Sequence, residues 1–267
     1  MRHSTIFCCL FVIAAAQTAS LARVGLELSA NSKKPETGFS KTLDFVNQGG
    51  LSGYYSDYRA ALTPNRFNPQ LRIFAEGRGG LKLGAALGLG YISPLVYDEQ
   101  ETGPTAGYLA KKYSLNSFYV PADIYIKYRP RGERLSLSLG GGADYMMGRI
   151  KAELQSNSQT ASGVMACSAL MPHASAGAEL FVFKNVSLAA EFKYIFNGLL
   201  DNFSGELSDP SGFLGGSGRY SLQMKPMTGG AETLYLLKDG GAPAALSRPF
   251  SADYTGLWGQ VALRVYF

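Results

Sequence analysis

Along most of this chain apolar and polar residues alternate one by one. Residues 257–267 show it most cleanly. Leu257, Gly259, Val261, Leu263, Val265 and Phe267 take one side, and Trp258, Gln260, Ala262, Arg264 and Tyr266 the other. Successive side chains of a strand point to opposite faces, so this period predicts a strand with one apolar and one mixed face. The same reading holds for residues 24–29, 71–76, 81–91, 122–129, 135–145, 173–182 and 186–197. Eight strands are therefore predicted.

The connections between them fall into two classes. Three are short, near 77–80, 130–134 and 184–185, and carry Gly, Pro and Asn, the residues that tight turns favour. Four are long, roughly 31–69, 92–117, 149–163 and 198–253. Short and long alternate, and strands of about 11 residues are long enough to cross a bilayer at a tilt. The pattern predicts an all-β fold, a single antiparallel up-and-down transmembrane barrel. Its short turns and both termini lie on the periplasmic side and its long loops outside. An additional hairpin around 234–237 would raise the strand number to ten.

With the apolar face set against lipid, the charged strand residues point inward. The acids are Glu27, Glu76, Asp123, Asp144, Glu179 and Glu191, and the bases are Arg72, Lys82, Lys127, Arg129, Lys193 and Arg264. An eight-stranded barrel is just wide enough to be filled by its side chains. Buried charges cost several kcal/mol each unless paired. The balance predicts an internal ion-pair network rather than an open pore. A soluble sandwich or lipocalin-like barrel would place its charges in water instead. Tyr91, Tyr128, Tyr145, Tyr194, Phe196 and Phe267 fall toward strand ends on the outward face, where amphipathic rings favour the headgroup level.

Composition agrees. Charged residues make up 17% of the 267, whereas Gly (32) and Tyr (16) are abundant. This excludes a long-helix protein and a disordered one. The net charge of +5 is spread along the chain, so nucleic acid is not an expected partner. Residues 6–16 form an apolar run too short to span a bilayer as a helix. It follows Arg2 and His3 and precedes small residues. Residues 1–22 are thus read as a secretory signal peptide, with cleavage favoured after Ala22 and Ala16 and Ser20 as the alternative sites, and 23–267 as the barrel. Cys8 and Cys9 would leave with it, and Cys167 reads as a small strand residue. No spacing of Cys and His suggests a metal, and no cofactor is expected.

The C-terminal run Val261, Leu263, Val265 and Phe267, a final aromatic preceded by alternating apolar residues, resembles the signature of bacterial outer-membrane proteins. The hairpin from Gly177-Ala178-Glu179 to Glu191-Phe192-Lys193-Tyr194 resembles the last hairpins of small OmpA/OmpX-type barrels. The resemblance implies residence in the outer-membrane lipid. It also implies recognition of those four C-terminal positions by the barrel-assembly machinery. The reading departs from OmpA proper in expecting no peptidoglycan-binding domain after the last strand.

His173-Ala174-Ser175, near Glu179 and Glu191, has the His-x-Ser spacing of lipid A deacylases, and a Ser-His-acid set is the usual means of activating a hydroxyl. Alternation places both side chains inward, away from any lipid substrate, and the chain is read as a non-enzyme. The leading function is a structural or surface-interaction barrel, with an unknown extracellular ligand at loops carrying Tyr54, Tyr55, Tyr58, Phe213, Tyr220 and Tyr235. A narrow channel, a lipid A-modifying hydrolase and a soluble periplasmic binding protein are the alternatives.

Overall fold

The structure, a computed structural model, describes residues 23–32, 35–47, 57–63, 68–103, 107–130, 132–226 and 232–267. Residues 1–22, read above as a signal peptide, Tyr54 and Tyr55 lie outside the described residues, as does the side chain of Tyr58.

Eight strands pair into a closed antiparallel ring. In chain order they are β1 (Arg23–Asn31), β4 (Asn68–Glu76), β5 (Leu81–Gly103), β6 (Gly107–Tyr128), β7 (Leu135–Ser156), β8 (Gln159–Phe183), β9 (Val186–Ile195) and β16 (Gly256–Tyr266). Each pairs with the next, and β16 closes on β1 through Gly25↔Tyr266 to Asn31↔Gln260. Closure removes the free sheet edges that hydrocarbon cannot tolerate. The predicted short turns are the observed ones, all at the end where β1 begins and β16 finishes.

The outward face is apolar for a fixed height. Leu83, Leu89, Ile124, Leu139 and Leu188 are all more than half exposed. Ten residues separate Leu81 from Tyr91, Tyr128 from Phe118, and Leu135 from Tyr145. Ten residues rise about 33 Å along a strand. At a tilt of about 40° this gives the roughly 25 Å apolar band of outer-membrane barrels. Outward rings mark its upper rim: Tyr91 packs on Phe118 at 4.9 Å and Tyr194 on Phe196 at 5.4 Å between centroids. Tyr128, Phe183 and Phe267 mark the lower rim.

Inside, glycines make room for rings on the neighbouring strand. Tyr125 is registered against Gly84 on one side and Gly140 on the other. A Cβ at Gly84 would stand 2.4 Å from the Tyr125 ring.

Above the band the structure departs from the sequence reading. Residues 92–103, 107–117, 149–156 and 159–163 are strand, not loop. β5 to β8 run on for 22–25 residues each and carry the sheet beyond the membrane. The segment 198–253 is also largely structured. It holds β10 (Leu199–Asp201), β11 (Ser204–Ser208), β12 (Gly218–Pro226), β13 (Glu232–Lys238), β14 (Arg248–Pro249) and β15 (Ser251–Asp253). β11 pairs with the upper part of β8, β12 with β11, and β13 with β12. The hairpin around 234–237 thus belongs to this cap, and the ring stays at eight. Near the start of the chain come β2 (Glu36–Thr37), α1 (Gly38–Asn47) and β3 (Asp57–Thr63). They complete the cap: β2 pairs β15, and β3 pairs the upper part of β5.

Candidate functional site

The barrel interior is filled in three tiers. The lowest is ionic. Arg72 on β4 donates from Nε to Glu27 Oε1 (2.7 Å), from Nη1 to Asp123 Oδ2 (3.0 Å) and from Nη2 to Glu191 Oε2 (2.8 Å). Arg264 on β16 reaches the other oxygen of Glu27 at 2.7 Å and Glu179 at 3.1 Å. Lys127 bridges Glu76 (2.7 Å) and Glu179 (2.5 Å), and Lys82 donates to Glu76 at 3.1 Å. Lys193 donates to Asp144 at 3.1 Å. These residues are all buried. Strand alternation brings them there, since every one sits on the inward pleat of its strand.

Eleven of the twelve predicted residues share this network. Arg129 is the exception and a correction. It lies past the last paired residue of β6, where the chain bends toward Pro130. Its Nε donates to the Glu133 carbonyl at 2.9 Å, and its guanidinium stacks 3.8 Å from the Phe181 centroid. No carboxylate pairs with it among the described residues.

Two members were not foreseen. Tyr266 donates to Glu179 at 2.5 Å and accepts from Lys127 at 2.7 Å. His173 Nε2 lies 2.6 Å from Asp123, and its Nδ1 lies 3.5 Å from Asp144. Asp123 therefore holds the His173 ring, whose Nδ1 makes no hydrogen bond, and no hydrogen bond joins the ring to Ser175 among the described residues. Ser175 lines a cavity of about 10 Å³ inside the barrel, about the space one water centre requires.

The middle tier is neutral. Asn31 Nδ2 donates to Tyr119 Oη at 2.8 Å, and that hydroxyl donates to Gln70 Oε1 at 2.8 Å. Asn68 donates to Asn31 at 3.1 Å. Side-chain amides and phenols can give and accept without a net charge. They separate the ionic tier from the apolar one above.

The top tier is a hydrophobic core at the extracellular end. Met146, Ile150, Met165, Met171, Leu222 and Met224 are fully buried in it. Phe39 of α1 closes over them, its ring 5.4 Å from Tyr97 and 4.7 Å from Phe250. Cys167 packs half-buried at its edge.

Among the loop aromatics, Phe213 and Tyr235 are partly buried. Tyr220 is 1% exposed, a correction to its reading as a contact residue. Its hydroxyl donates to the Gly216 carbonyl at 2.7 Å and braces the loop from within. Outside the band, Lys111 donates to Glu99 and to Glu101, both at 2.7 Å. Burial, and the hydrogen bond shared with Glu99, raise the Glu101 carboxyl to about 7. Burial would also raise Glu99, but the bond with Glu101 and the Lys111 ammonium outweigh it and hold Glu99 below its ordinary value.

The four C-terminal signature positions all face lipid. Val261, Leu263 and Phe267 are exposed and Val265 is half-buried.

A family profile agrees with this architecture. The profile of the outer membrane protein beta-barrel domain family matches residues 5–205. No curated protein matches the chain. Among solved structures, a major outer membrane protein from Thermus thermophilus is similar, at 15% identity and a TM-score of 0.40. That alignment covers 92% of this chain and 99% of the other. The outer membrane protease OmpT from Escherichia coli aligns at 9% identity and a TM-score of 0.41, over 92% of this chain and 96% of its own. A closed eight-stranded ring with a lipid-facing apolar band, matched by a family profile over most of its length, establishes that this chain belongs to the outer membrane protein beta-barrel domain family and resides in the bacterial outer membrane.

Proposed function

We propose that this protein is a closed outer-membrane barrel whose extracellular cap is its working surface, rather than a pore. The observation that carries the reading is the stacked filling of the interior: an ionic tier, a neutral tier and an apolar tier in series. A solute would have to break several charge-assisted hydrogen bonds and then cross a packed hydrocarbon core. Each step is costly in a low-dielectric interior.

The cap is built to hold a shape. Asp209 accepts from the backbone N–H of Leu214 (2.8 Å) and Gly216 (3.0 Å) and from the Ser211 hydroxyl (3.0 Å). Lys238 crosses from β13 to the Gly215 carbonyl at 2.6 Å. Arg248 grips Glu232 with two bonds of 2.7 and 2.6 Å. Rigid loops on a rigid scaffold bind with little ordering cost, which favours an extracellular ligand at the cap.

Liposome swelling tests the reading. Vesicles carrying the refolded barrel and diluted into a small sugar should swell no faster than protein-free vesicles. Swelling that grows with protein content and falls with sugar size would overturn it in favour of a narrow channel.

A further inference from the structure

Inside the barrel every base faces an acid. At the periplasmic mouth this balance fails. The turns after β4 and after β6 flank an open cavity of about 570 Å³ whose lining includes Arg23, Arg78, Lys82 and Arg129 and, among the described residues, no acid. Lys82 already serves Glu76. The three guanidiniums have no carboxylate within ion-pair reach among the described residues.

Two of them are held ready. Arg23 lies with its guanidinium 4.7 Å over the Tyr266 ring, and its Nη2 donates to Asn185 Oδ1 at 3.0 Å and to the Lys184 carbonyl at 3.2 Å. Arg129 is stacked on Phe181 and tied through Nε, which leaves the Nη edge uncommitted. Arg78 is exposed at the tip of the first turn. A planar fork fixed by stacking loses little freedom when it binds an oxyanion. Arginine forks match phosphate with paired hydrogen bonds, and several together suit a group of more than one negative charge.

We infer that the periplasmic mouth is a phosphate-binding site, formed by Arg23, Arg78 and Arg129, for a phosphate group carried by an anionic phospholipid of the inner leaflet or by a free phosphate solute. The cavity exceeds the size of inorganic phosphate, so a substituent can be housed with it. Phe183 and Phe267, exposed on the outer wall at this same end, set the mouth at the level of the inner-leaflet headgroups. This site is independent of the closed-barrel reading, because it lies below the filled interior.

The test uses the full barrel, refolded in detergent. One arm titrates inorganic phosphate and glycerol 3-phosphate and follows the ligand's phosphorus resonance. The other transfers the barrel to bilayer discs with or without phosphatidylglycerol and counts retained lipid by native mass spectrometry. Saturable binding in at least one arm is expected. Arg78→Gln/Arg129→Gln should weaken it by about tenfold or more, the worth of one to two charge-assisted hydrogen bonds. Arg219→Gln, at the opposite end, should leave it unchanged. Binding confined to one arm supports the site and assigns the phosphate's source. Should the double variant fold poorly by gel mobility, Arg78→Gln alone, a change at an exposed turn, must still weaken binding about threefold. Saturation in neither arm, or equal binding by wild type and Arg78→Gln, overturns the inference.

Discussion

Glu27 and Arg72 stand directly opposite each other on paired strands and are joined at 2.7 Å in the centre of the barrel. Arg72 also serves Asp123 and Glu191, so one guanidinium holds three carboxylates from three other strands. Removing it strips a shared cation from three buried acids and leaves Arg264 to serve Glu27 and Glu191 alone. Arg72→Ala is expected to destabilise the barrel by about 3–5 kcal/mol, as breaking a buried ion pair does. Urea unfolding in lipid vesicles reads this directly. Adding Glu27→Ala should restore part of the loss, since the two residues are coupled. A single variant as stable as wild type would contradict the network.

Tyr125 occupies the space that Gly84 vacates. Gly84→Val therefore forces the ring aside, at a cost of about 1–3 kcal/mol for overpacking. Combining it with Tyr125→Ala should recover stability relative to the single glycine variant. At Gly142 the obstacle is backbone: a Cβ there would stand 1.9 Å from the Ala122 carbonyl oxygen. Gly142→Ala should thus be at least as damaging as the larger change at Gly84, with no side-chain truncation able to rescue it. The same unfolding assay checks both.

The outward band predicts a depth dependence. Leu139 is 69% exposed and sits midway along the membrane part of β7, whereas Leu135 begins that strand at the periplasmic rim. Leu139→Arg should cost about 2–4 kcal/mol and Leu135→Arg about 0–1. Equal costs at the two depths would mean that this face does not meet hydrocarbon.

The Glu99–Lys111–Glu101 set in the cap predicts a pH response. Folded Glu101 titrates near 7, above its ordinary 4.5, so the folded protein keeps a proton that the unfolded chain releases. Its stabilising contribution is full below the ordinary value and is lost as pH rises through about 7. Glu99, held low, contributes above the ordinary value and loses its part only on acidification. Between about pH 6 and pH 8 the Glu101 step dominates. Backbone hydrogen exchange at 97–101 and 109–113 should therefore quicken, beyond the intrinsic base-catalysed rise, as pH increases. Glu101→Gln should abolish that excess. A wild-type profile with no excess would contradict the assignment.

What was legible in the sequence was whatever obeys a period of two. Alternation alone places Glu27, Arg72 and Arg264 on one inward face, and register then makes them meet. Arg129 was misplaced because alternation carries no mark of where β6 ends, and Pro130 redirects the chain one residue later. The cap was not legible for a different reason. The run Asp98-Glu99-Gln100-Glu101 is polar enough to read as loop. Its strand conformation depends on Tyr97 and Tyr113 packing beneath Phe39 of α1 and on Phe250, partners far away in sequence. His173 joins the network for the same non-local cause: Asp123 reaches it from β6.

A barrel stoppered along its axis carries no ionic current, and single-channel recording across a planar bilayer reads this. The refolded wild-type protein should leave a flat baseline under an applied potential, with no steady current steps in concentrated salt. Reproducible, long-lived conductance steps from the wild type would contradict a filled interior.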